Sequence, residues 1–86
     1  MRQDPEFFGE RELVLVYIAK KLKDALRLED ILTQGGFDYL VETDKYSGGI
    51  IFRSERVGAF FYVTEEAESA TRELMKRFEF VPYSPI

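Results

Sequence analysis

The chain has 86 residues, with 12 Lys and Arg against 16 Asp and Glu, a formal net charge of −4, eight Phe, five Tyr, and neither Cys nor His. That length supports one domain with a small core and a total stability of roughly 5–10 kcal/mol, so association would help it. The missing residue types exclude disulfides, thiolate chemistry, Cys/His zinc sites and every His-based triad, and the acidic balance argues against non-specific binding to nucleic acid or anionic membranes.

Residues 1–11 are charged and include Pro5 and Gly9; they read as a loose N-terminal arm whose Phe7 and Phe8 could dock elsewhere. The polar N-terminus has no apolar signal core. No apolar run reaches the length of about 18 residues that a membrane span needs, so the expectation is a soluble, cytoplasmic protein. A strand is predicted over residues 12–18. A helix follows over about 21–34, with Leu22, Ala25, Leu26, Leu28 and Leu32 on one broad face. Gly35-Gly36 ends it as a left-handed C-cap. Its start is ambiguous, because Lys20, Lys21 and Lys23 oppose the helix dipole and Asp24 offers a later cap.

A second strand is predicted from Phe37 to about Thr43, with mixed polarity suited to an edge. Residues 44–49 read as a turn or loop with Ser47-Gly48-Gly49 as its flexible point. Ile50-Ile51-Phe52 is too apolar for a free loop and either extends a hairpin or folds over the sheet. A third strand is predicted over about 57–63. The second helix opens at Thr64 as N-cap, with Glu65, Glu66 and Glu68 in its first turn and Arg72, Lys76 and Arg77 towards its end. Ala67, Ala70, Leu74 and Phe78 form its expected core stripe. Phe78-Glu79-Phe80-Val81 is left as an optional fourth strand, followed by a tail over 82–86 whose prolines forbid further pairing.

The order β-α-β-β-α, with an optional last β, predicts an α+β, ferredoxin-like domain over residues 12–81. Two right-handed crossovers put both helices on one face of an antiparallel sheet, with strands 1 and 3 adjacent and central. Both of those strands are apolar on both faces, which a half-exposed strand should not be. The period of two places Val14, Val16, Ile18, Ala59, Phe61 and Val63 under the helices. It leaves Leu15, Tyr17, Phe60 and Tyr62 on the open face, a patch large enough to mark an interaction surface.

Two resemblances follow from these residues. The opening strand, Ala25, Ile31-Leu32-Thr33-Gln34-Gly35-Gly36-Phe37 and Val63-Thr64-Glu65-Glu66-Ala67 resemble the small prokaryotic family of putative signal-transducing proteins, grouped with PII-like regulators. The likeness spans about residues 12–78. These positions determine a fold rather than a site, and the family usually has Pro where Thr64 stands. The resemblance implies a small, oligomeric, regulatory domain and no activity. Val16-Tyr17-Ile18-Ala19-Lys20 and Arg56-Val57-Gly58-Ala59-Phe60-Phe61-Tyr62-Val63 resemble the two signatures of the RNA recognition motif, which would make Tyr17 and Phe60 base-stacking residues. Gly58 stands there where that motif has a stacking aromatic, and Val57 where it has Gly.

The expected function is therefore a non-enzymatic regulatory or interaction module. It would bind a second copy, a protein partner or a small ligand through Leu15, Tyr17, Phe60 and Tyr62. A single-stranded RNA binder and a small enzyme without His or Cys are the alternatives. Lys20, Lys21, Lys23, Arg53 and Arg56 form a candidate anion site near a helix N-terminus, weighed against ordinary solvated surface charge. No catalytic residue, metal site or cofactor is expected, and neither membrane nor nucleic acid is the expected partner.

Overall fold

The computed structural model describes residues 1–48 and 54–84. In chain order the elements are α1 (Pro5–Phe8), β1 (Leu13–Ala19), α2 (Leu22–Gln34), β2 (Leu40–Gly48), β3 (Ser54–Thr64), a 3-10 turn (Glu65–Ala67) and α3 (Glu68–Arg77). The fold is α+β. Among the described residues the sheet has three antiparallel strands in the order β1-β3-β2, so β3 alone is central and β1 lies at an edge. The helices α2 and α3 share one face of it. There Ala25, Leu28, Ile31, Leu32 and Met75 bury against Val16, Ala19, Tyr39, Phe61 and Val63.

The extra helix, α1, lies within the segment expected as a loose arm. Pro5 fits a first helical turn because its missing N–H would be unpaired there anyway. The arm is tied down at its start and braced locally after α1. Arg2 bridges Tyr39 in parallel, with Gln3 N–H donating to the Tyr39 carbonyl at 2.8 Å. After α1, the Arg11 guanidinium donates to the carbonyls of Phe7 and Phe8. Phe8 is buried, which contributes about 2 kcal/mol, and it lies outside the main core cluster.

A β-bulge governs β1. Leu15 pairs with Tyr62 and Tyr17 pairs with Phe61, so Val16 is an extra residue without an opposite number. The side-chain phase therefore slips by one. Before the bulge Val14 shares the helix side with Val63; after it Tyr17 shares that side with Phe61. The expected order of faces is corrected from this point on: Ile18, opposite Phe60, faces away from the helices, and Tyr17 faces them.

The helix α2 begins at Leu22, with Lys21 as N-cap and no side-chain capping bond. Asp24 is not the cap; it lies in the first turn, where its charge favours the dipole. The stop is a Schellman motif. Gly36 takes φ +81, its N–H donates to the Thr33 carbonyl at 3.1 Å, and Phe37 N–H donates to that of Leu32 at 3.0 Å. Leu22 and Leu26 do not join the core; they are 75% and 56% exposed.

The hairpin is longer than its composition suggests. Residues 44–48, expected as a turn, continue β2, and the ladder runs from Leu40↔Tyr62 to Gly48↔Ser54. Cross-strand pairing overrides the poor strand propensity of Asp44, Lys45 and Gly48. Gly49, Ile50, Ile51, Phe52 and Arg53 lie outside the described residues. Thr64 precedes the 3-10 turn in extended geometry and makes no side-chain cap bond. The buried residues of α3 are Thr71 and Met75 rather than Ala70 and Phe78. Thr71 is fully buried and its hydroxyl has no partner among the described residues.

Residues 78–81 form no strand. The chain turns at Phe78 and Glu79, the latter at φ 65. Phe80 then buries edge-on against Tyr17, ring centroids 5.2 Å apart. One backbone bond, Tyr83 N–H to the Val16 carbonyl at 2.7 Å, ties the tail to the β1 edge at its bulge. Two arginines secure it. Arg27 donates to the Phe78 carbonyl at 2.9 Å and lies over the Phe80 ring. Arg72, bonded to Glu68 at 2.9 Å, donates to the Tyr83 carbonyl at 2.6 Å and to that of Leu15 at 3.4 Å.

Candidate functional site

Away from α2 and α3, the sheet presents the residues that share a side with Tyr62, among them Leu13, Leu15 and Ile18 on β1, Arg56, Gly58 and Phe60 on β3, and Leu40, Glu42, Asp44 and Tyr46 on β2. Of the four expected interface residues, the structure brings Leu15, Phe60 and Tyr62 together and sends Tyr17 to the other face. Leu15, Ile18, Phe60 and Tyr62 are each partly buried. Leu40 is buried and, like Phe8, lies outside the main cluster.

Ile18 and Tyr46 are among the members of the face that escaped the sequence reading. Ile18 arrives through the bulge. Tyr46 arrives because β2 continues past Thr43. Both crowd Gly58, where an added Cβ would stand 3.1 Å from Ile18 Cγ2 and 3.1 Å from Tyr46 Cε1. Gly58 is thus the floor that both side chains approach, and a Cβ there would require them to give way by a few tenths of an ångström.

The face is electrically divided. Glu42 pairs opposite Phe60, and Asp44 opposite Gly58. Burial, reinforced by these two carboxylates, holds the Tyr62 phenol above its ordinary pKa. At one end Lys20 places its ammonium over the Tyr46 ring, 5.2 Å from the centroid, and Arg56 is the cross-strand partner of Tyr46. Of the expected anion cluster, Lys20 thus lies over the Tyr46 ring and Arg56 stands opposite Tyr46 in the ladder. Lys23 is exposed on α2, Lys21 lies at the α2 N-terminus, and Arg53 falls outside the described residues.

On the helix side, a cleft of about 470 Å³ opens between the end of β1, the start of α2 and the tail. Tyr17, Lys21, Asp24, Arg27, Glu79 and Phe80 line it. Burial raises the Tyr17 phenol, and Asp24 adds to the shift. The charges of this cleft are mixed in sign. Among the described residues no group of three or more acidic side chains could hold a metal ion, and no helix is long and apolar enough to cross a membrane.

Fold and surface together define a small α+β module with an apolar, charge-divided sheet face. Compared with family models, with curated proteins and with solved structures, the chain matches none.

Proposed function

We propose that this chain is a ferredoxin-like, non-enzymatic interaction module that pairs with a second copy through its open sheet face, as a regulatory domain. In this reading the Arg-clamped tail stands where a fourth strand would run. The observation that carries it is the make-up of the face: apolar Leu15, Ile18, Phe60 and Tyr62, with Glu42 and Asp44 on one flank and Lys20 and Arg56 at one end. Such a surface is complementary to itself. An isologous pairing can set the acids of one copy against the bases of the other while the apolar residues leave water.

The test is mass in solution by light scattering. The wild type should be dimeric at tens of micromolar, and Phe60→Glu monomeric with its circular dichroism unchanged. Glu42→Lys with Asp44→Lys should weaken the dimer, and adding Lys20→Glu with Arg56→Glu should restore it. A monomeric wild type would overturn the proposal.

A single-stranded RNA floor is the second reading, favoured by Phe60 and Tyr62 beside the Lys20–Arg56 end. It has less support, since Tyr17 packs on Phe80 and two carboxylates share the face. It predicts salt-sensitive binding of a mixed oligonucleotide pool that Phe60→Ala abolishes. The cytoplasm remains the proposed location.

A further inference from the structure

The most exposed apolar residues near a cleft are on the other side of the sheet. Two helices cannot roof three strands and a long hairpin. The helices α2 and α3 pack over β1 and β3, and Thr43 and Lys45 in the middle of β2 remain exposed on the helix side. Beside them a cleft of about 200 Å³ runs between the first turns of α2 and the β2–β3 hairpin. Leu22 and Val57 line it at 75% and 61% exposure, and Leu26 continues the Leu22 row one turn on, at 56%. Leucines at i and i+4 with a β-branched residue opposite make an apolar trough, and a further helix laid along it would pack at about 8–10 Å from α2.

The rim of this trough is basic. Lys20 and Lys21, just before Leu22, line it, and Lys23 follows Leu22. The acids on the same flank of α2 are Glu29, paired with Arg2 at 3.6 Å, and Asp30, one turn past Leu26, which accepts from Gln34 Nε2 at 3.0 Å. Asp24 faces the opposite cleft, with Tyr17 and Arg27. A chain of net charge −4 thus carries a local cluster of lysines beside exposed Leu22. Cationic flanks around an apolar row select the opposite charge pattern in a partner.

We propose that this trough docks an acidic amphipathic helix of a protein partner as a third helix on the sheet. The partner's apolar i, i+4 row would cover Leu22, Leu26 and Val57, and its carboxylates would meet Lys21 and Lys23. This surface is separate from the open face and does not depend on dimer formation.

The probe is a fluorescein-labelled synthetic helix of about 16 residues with Leu at i, i+4 and i+7 and Glu on both flanks, followed by anisotropy. It should bind saturably and weaken severalfold as salt rises from about 50 to 300 mM. Leu22→Asp with Val57→Asp should abolish binding; both sites are exposed, and an unchanged thermal melt verifies the fold. Lys21→Glu with Lys23→Glu should reduce it about tenfold, as two charge contacts imply. Phe60→Glu should leave it intact, which separates this site from the open face. Absence of saturable binding, equal binding of a Lys-flanked peptide, or indifference to the Leu22/Val57 pair would overturn the proposal. So would sedimentation with phosphatidylserine vesicles in place of peptide binding, which would mark a membrane-surface patch instead.

Discussion

Thr71→Val should stabilise this protein. The Thr71 side chain is fully buried between α3 and the sheet, and its hydroxyl is unpartnered among the described residues. A buried hydroxyl without a hydrogen bond costs about 1–3 kcal/mol. Valine keeps the shape, replaces the oxygen by a methyl group worth up to about 0.8 kcal/mol of burial, and has nearly the same helix propensity. The expected gain is about 1–2 kcal/mol. At this chain length each kcal/mol moves the melting temperature by about 4–8 °C. Urea titration followed by circular dichroism should show a higher midpoint with the same slope. Thr71→Ala, which removes oxygen and methyl together, should rank below Val because it leaves a void. If Val proved less stable than Thr, the hydroxyl would have to be bonded in solution, for example back to a carbonyl one turn earlier, and the reasoning would fail.

Arg72→Ala removes the guanidinium that joins Glu68, Tyr83 and Leu15, and should cost about 1–2 kcal/mol. Its local signature is fast amide exchange at Tyr83 while the β3 amides stay protected; equal protection in both proteins would refute the clamp. Gly36→Ala meets no neighbour but forces a side chain into φ +81, so it should cost about 1 kcal/mol by urea midpoint, with Gly36→Asn falling between. Gly35→Ala has an ordinary φ, yet its Cβ would lie 2.6 Å from Leu74 Cδ2. Its loss should be relieved by Leu74→Ala in a double-mutant cycle. Burial holds the phenols of Tyr17, Tyr39 and Tyr62 above their ordinary value of 10.0. The unfolded chain then loses protons first, so the stability these groups confer is complete below that pH and is lost as pH rises beyond it. Tyrosinate absorbance and ellipticity recorded together above pH 10 should show delayed ionisation until the fold gives way.

The α+β class, the three strands and the two longer helices were legible because each segment carries its own period and Gly35-Gly36 punctuates α2; α1 was not. The bulge was not. In a strand apolar on both sides, no polar residue marks which phase a position belongs to, so the slip at Val16 left no trace and Tyr17 was placed on the wrong face. The reach of β2 was hidden because Asp44, Lys45 and Gly48 are turn-forming residues that only pairing with β3 makes extended. Thr71 was hidden for a related reason: a hydropathy stripe passes over a polar residue even where geometry buries it. Tyr39 was passed over within a segment of mixed polarity. It is 1% exposed, stacks on Phe61, and its hydroxyl donates to the Glu29 carbonyl at 3.1 Å. For the candidate site, Leu15, Phe60 and Tyr62 follow from strand period alone. Ile18 and Tyr46 depend on the bulge and the hairpin, which are tertiary facts. The exposure of Leu22 and Leu26 follows from the number of helices available to cover the sheet, a property of the whole fold.

The extra residue at Val16 also acts as a frame marker. In a saturation scan, tolerance of charged residues along β1 should not alternate evenly. It should alternate up to Leu15, show two consecutive intolerant positions at Val16 and Tyr17, and resume in the opposite frame at Ile18 and Ala19. Deleting Val16 would leave the pairing on both sides in step, while removing a core side chain and the carbonyl that holds Tyr83. Deleting Leu15 or Ile18 would instead displace residues already paired with β3. A strand built this way holds its length at one position, and there a homologous chain could be one residue shorter without reversing a single face.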